Sequence, residues 1–134
     1  MKMRLFFVTI GFLMAASTLS AYDLKAHMHQ LNQDLMDLQS GFIMGKKDMV
    51  KAAAKSLSKH REDLFKSEEI IKKRLPKGKE HLTTVAMNTS HQIEENLNIM
   101  MDVIDDNTKR LIAQRSLFGV TQACIQCHNV IRDW

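Results

Sequence analysis

Apolar residues recur along this chain at steps of three and four almost from end to end. Leu24, Met28, Leu31, Leu35, Leu38 and Phe42 form a heptad-like seam, as expected of a helix with one buried stripe. Asp23 stands just ahead of it as an N-cap, its carboxylate able to accept an orphan N–H of the first turn. Gly41 and Gly45 bracket its far end. A second helix is expected over about 46–66, with Val50, Ala54, Leu57, Arg61 and Leu64 on the inner stripe. The stretch KSEEIIKKRLPKGKE reads as the longest connection, turning at Pro76-Lys77-Gly78. A third helix, from about Glu80 to Asp105, carries Leu82, Val85, Ala86, Thr89, Ile93, Leu97, Met100 and Ile104 inward. The capping cluster Asp106-Asn107-Thr108 opens a fourth, expected to line one side with Leu111, Phe118, Thr121, Ile125 and His128.

Alternating β-branched runs are missing, and Pro76 is the only proline. Four amphipathic helices with mostly short links predict an all-α fold, an antiparallel up-down-up-down four-helix bundle. No internal repeat or low-complexity tract interrupts the pattern. The chain of 134 residues is of a size for one domain.

The first residues break the pattern. MKMRLFFVTIGFLMAASTLSA has a charged start at Lys2 and Arg4, an apolar run from Leu5 to Ala16, and a cleavage site at Leu19-Ser20-Ala21. These are the three parts of a secretory signal. The apolar run, broken by Thr9 and Gly11, is short against the ~20 residues of a membrane span. Residues 1–21 are therefore read as a signal peptide and 22–134 as the exported domain, with no stable membrane insertion after cleavage.

Charge changes the picture little in sum and more in its distribution. The net charge of +4 includes Lys2 and Arg4, leaving too little positive charge to suggest nucleic-acid binding. The stretch from Lys46 to Lys79, however, concentrates basic residues. It reads as a solvated face or as a docking face for an acidic redox partner. The ten methionines are ordinary flexible core fillers taken alone.

The candidate chemistry lies at the C-terminus, where ACIQCHNVIRDW holds both cysteines of the chain. A CxxC pair serves a redox disulfide, half a zinc site, or a covalent haem anchor. A redox pair normally opens a helix, where the N-terminal dipole lowers the thiol pKa, whereas Cys124 and Cys127 come near the end of one. Zinc needs further ligands, and no second CxxC exists. The haem reading uses every residue, because CxxCH is the attachment motif of c-type haem. Cys124 and Cys127 add to the two vinyl groups, and His128 coordinates the iron as the proximal ligand. In an up-down bundle the start of the first helix lies beside the end of the fourth. A second axial ligand must then come from the first turns after Tyr22. Met28 falls on the inward seam, His27 at its edge and His29 outward. Met28 is thus a candidate ligand or plain core, and His27 a candidate for bis-histidine iron. His60, His81 and His91 are placed on or near the surface without a role.

With CxxCH standing close to the C-terminus, the chain resembles the class II c-type cytochromes, the group of cytochromes c-prime and low-spin c-556. The series Asp23, Leu24, Met28, Leu31, Asn32 and Leu35 is also similar to the start of the soluble cytochromes b-562. The resemblance implies an iron held between His128 and Met28, the methionine as distal ligand. Five-coordinate family members bind nitric oxide or carbon monoxide. Those with methionine transfer electrons, and Met28 places this chain with the second group. The expectation is a periplasmic electron carrier with one covalent haem c and its iron, not an enzyme. It would dock transiently with redox partner proteins through electrostatic contacts, and family members often form homodimers. The alternative is a gas-binding haem protein of the c-prime kind. In the family a propionate is often held by an arginine of the first helix. Here that helix offers only Lys25, so basic residues of the long connection are the candidates.

Overall fold

The computed structural model describes the backbone of residues 15–132 and the side chains of residues 24–132. All regular structure among the described residues is helical: α1 (Ala15–Ile43), α2 (Lys47–Leu64), α3 (Glu68–Arg74), α4 (Thr83–Val103) and α5 (Arg110–Ile131). Short 3-10 turns, Glu80–Leu82 and Asn107–Lys109, lead into α4 and α5. Most of the expected signal segment, residues 1–14, lies outside the described residues. No helix among the described residues is long and apolar enough to cross a membrane.

Asp23 does not start a helix. α1 runs through it from Ala15, because Ala15-Ala16-Ser17-Thr18-Leu19-Ser20-Ala21 contains no glycine or proline to stop the turn. The connection after α2 also departs from expectation, since it folds part of its length into α3. Ser67 caps that helix by accepting a hydrogen bond from the Ile70 N–H at 3.3 Å. Glu68 and Glu69 occupy its first turn and Lys72, Lys73 and Arg74 its last, which suits the helix dipole at both ends. Arg74 then donates to the Leu64 carbonyl at 3.1 Å, satisfying the open end of α2.

α1 packs chiefly on α2, and α4 chiefly on α5. The two pairs touch more sparingly, through α2 with α4 and α1 with α5, while α3 lies against α4 and α1. Two apolar clusters result. The larger joins Leu38, Val50, Ala54, Leu57, Ile93, Leu97, Met100 and Val120. The smaller gathers Leu64, Phe65, Ile71, Ala86, Cys127 and Ile131, with Leu24 and Met28 packed against it. Leu31 packs against both. At the other end of α2, Lys51 pairs with Asp105 at 2.6 Å and Lys47 donates to Asn107 Oδ1 at 2.9 Å. These contacts tie the start of α2 to the turn between α4 and α5.

The inner stripe of α5 is not the one the spacing suggests. Leu111 and Phe118 are 68% and 70% exposed and Ile125 is 54% exposed, whereas Ala113, Ser116, Val120, Ala123, Cys127 and Ile131 are buried. Small residues face α4 because the two helices lie close. A methyl group on Gly119 would collide with the Asn96 side-chain amide.

A similar close approach fixes the first pair. Gly45, at φ 67°, turns the chain between α1 and α2. A Cβ on Gly41 would stand 2.9 Å from both the Val50 backbone nitrogen and its Cγ2. Helix propensity favours Gly41→Ala by about 1 kcal/mol, but overpacking of this kind costs about 1–3 kcal/mol. The obstacle includes backbone, which cannot rotate away, so the clash should win. Gly41→Ala is expected to lower the thermal midpoint by several degrees, and an unchanged or higher midpoint would refute this close packing.

Candidate functional site

α5 continues without a break through the motif, and the Arg132 N–H still donates to the His128 carbonyl at 2.9 Å. Cys124 and His128 therefore lie one turn apart on the same side, with Cys127 beside them. Both cysteines are free thiols. Cys127 is buried in the smaller apolar cluster, and Met28, from the opposite end of the chain, packs against that same cluster. Cys124 is half-buried and packs against the larger one. Of the other expected residues, His128 and His27 are half-buried and His29 is exposed. His81 and His91 are exposed as expected.

The surroundings keep all three groups of the motif uncharged at neutral pH. Burial, reinforced by the neighbouring Cys127, pushes the Cys124 thiol up to about 11. Burial also raises Cys127, against the opposing effect of its hydrogen bond with Thr89. For His128 burial disfavours the imidazolium and Arg132 adds repulsion, so its pKa is lowered. A neutral imidazole keeps a nitrogen lone pair for a metal. Thiols held in the protonated form lack the low pKa of a disulfide-exchange pair.

Among the described residues no three His, Cys, Asp or Glu side chains converge as a metal site. The donor set that is present, two thiols and an imidazole on one helical turn with a thioether in the same apolar region, has the chemistry a covalently attached haem requires. Arg61 also fits such a group. It is buried, and its Nε has no hydrogen-bond partner in the structure.

A second polar constellation joins α1 to α2. Asp34 is only 4% exposed. Its Oδ2 lies 2.6 Å from His60 Nδ1, and its Oδ1 accepts from Ser56 Oγ at 2.8 Å. His60 is thus a partly buried structural partner rather than an unengaged surface residue. Ser56 Oγ also lies 3.4 Å from His60 Nδ1, the same ring nitrogen that faces Asp34, so the trio lacks the relay of a nucleophilic triad, in which serine and aspartate hold opposite nitrogens. It staples the two helices together. Asp34 sits beside the apolar seam of α1, and its polar type gave no signal of burial.

No protein family pattern, no characterised protein and no solved structure matches this chain.

The raised thiol pKa values give a direct test. A rise of about two units cuts the thiolate fraction about a hundredfold, and greater intrinsic nucleophilicity restores about tenfold of that. Alkylation of Cys124 by iodoacetamide at pH 8 should be at least about tenfold slower in native protein than in urea. Equal rates would mean that the motif is not buried.

Proposed function

We propose that this chain is an exported electron carrier holding one covalent haem c, with Cys124 and Cys127 as thioether anchors and His128 and Met28 as axial ligands. The observation that carries the reading is the convergence of Met28 from α1 and Cys127 from α5 on one apolar cluster. In this reading α1, α2, α4 and α5 are the four long helices of an antiparallel up-down bundle, and α3 lies across its long connection. That arrangement brings the start of the exported domain beside the end of the last helix. Met28 then opposes His128. The likeness to class II c-type cytochromes, resting on Cys124, Cys127, His128 and Met28, points the same way.

Haem iron, when bound, supplies a one-electron ferrous–ferric couple. Cys124 and Cys127 would hold the group through thioether bonds, each S–H adding across a vinyl double bond with no oxidant needed. His128 presents a neutral nitrogen, and Met28 a thioether that favours the ferrous state and raises the potential. The apolar side chains of the smaller cluster exclude water and lower the local dielectric, which favours the less charged form. Because both ligands project from helices, little rearrangement accompanies a change of charge. Exposed lysines, among them Lys46, Lys55, Lys59, Lys66, Lys72 and Lys77, offer a basic surface for transient docking with an acidic redox partner. The chain needs no substrate pocket and performs no turnover of its own. Its place is the periplasm, where covalent haem attachment occurs in bacteria.

Two experiments bear on this reading. The ferric protein should show a far-red methionine-to-iron charge-transfer band that disappears in Met28→Ala. A high-spin ferric wild type that takes up carbon monoxide readily would instead favour a gas-binding haem protein. Replacing Cys124 and Cys127 together by alanine should leave the haem extractable with acidified acetone. Retention of covalent haem in that variant would rule out the thioether assignment.

A further inference from the structure

Arg61 is 92% removed from solvent, yet its charge is only partly matched. Nη1 donates to Ser90 Oγ at 3.0 Å. Nη2 lies 3.2 Å from Glu94 Oε1, a carboxylate that is itself 43% exposed and whose other oxygen is 3.8 Å from His91 Nδ1. Nε has no partner at all, and it is the only buried side-chain polar atom in that condition among the described residues. A buried donor left unmade on a charged group costs about 1–3 kcal/mol or more. A shielded carboxylate at this point would remove that cost and complete the pairing.

The position of Arg61 points to the source of such a carboxylate. On α2 it precedes Leu64 by three residues, and Leu64 belongs to the cluster that holds Cys127. On α4 its partner Ser90 is buried beside Thr89. Arg61 therefore lies one helical turn from the cluster that holds Cys127. In a haem the vinyl and propionate groups occupy opposite edges of the ring. Tethering the vinyl edge to Cys124 and Cys127 would turn the propionate edge away from α5. The other basic side chains near this end are either engaged or exposed to solvent. Arg74 holds the Leu64 carbonyl, Lys73 pairs with Glu69 at 2.7 Å, and Lys25 is exposed.

We propose that Arg61 is the propionate anchor of this protein: its Nε–H, left without a partner while Nη1 and Nη2 are held by Ser90 and Glu94, receives a haem propionate. The assignment rests on the covalent-haem reading. It replaces the basic residues of the long connection, which the sequence pattern put forward, with a buried arginine of α2.

Resonance Raman spectra of the holoprotein provide the test, since the propionate bending line moves with hydrogen bonding to the carboxylate. In Arg61→Gln the haem should remain covalently attached and the far-red methionine band should persist, while the propionate line shifts to lower frequency. Arg61→Lys, which keeps the charge, should shift it less. A purely structural arginine would lower the melting temperature and leave that line in place, so an unmoved line in Arg61→Gln overturns the assignment while the electron-carrier reading stands. Should Arg61→Gln fail to fold, the diamagnetic ferrous wild type decides. A nuclear Overhauser contact between the Arg61 Nε–H and a propionate methylene is expected, and its absence overturns the assignment. Wild-type protein lacking covalent haem removes the parent reading and this one with it.

Discussion

The site depends on a contact between the two ends of the chain, where Met28 of α1 packs into the apolar cluster that buries Cys127 of α5. Within each helix pair the packing is extensive, and Gly41 and Gly119 let the helices approach closely. Between the pairs it is thin. Burying one large apolar side chain contributes about 1.5–3 kcal/mol, so the shared cluster of Leu38, Val50 and Leu57 with Ile93, Leu97, Met100 and Val120 carries much of the association, and Leu31 and Met28 extend it toward Cys127. A group covalently fixed to α5 and coordinated from α1 would reinforce this weaker seam. On the proposed reading, cofactor and fold support one another at the same place.

Polar groups divide the interior in an orderly way. The cysteines and His128 stay neutral in their surroundings. Asp34, buried beside the apolar seam of α1, is satisfied by His60 and Ser56 and links α1 to α2. Arg61 links α2 to α4 through Ser90 and Glu94. Its unmatched Nε distinguishes it from the other buried charge. One pair is complete within the protein, whereas the other asks for a further partner.

Much of this fold was legible from spacing because the stripes of α1, α2 and α4 are built from large apolar residues at regular intervals. The five positions expected to face inward on α2, Arg61 included, are all buried. α3 was missed because seven residues are too few to show a period, although Ser67 and the acidic and basic ends of Glu68–Arg74 were its signal. α5 misled for a different reason. Leu111, Phe118 and Ile125 repeat every seven residues and imitate an inner stripe, but close packing on α4 requires small side chains there. The motif itself was plain in the sequence, and so was the inward seam carrying Met28. The roles of Asp34, His60 and Thr89 were not, since hydrogen bonds between distant helices leave no periodic trace.

On the proposed reading a sulfur from α1 and a nitrogen from α5 bind one iron. X-ray absorption at the iron edge of the purified holoprotein should then show one sulfur neighbour bonded to iron in both the ferrous and ferric states. Spectra fitted by nitrogen neighbours alone would remove Met28 as a ligand.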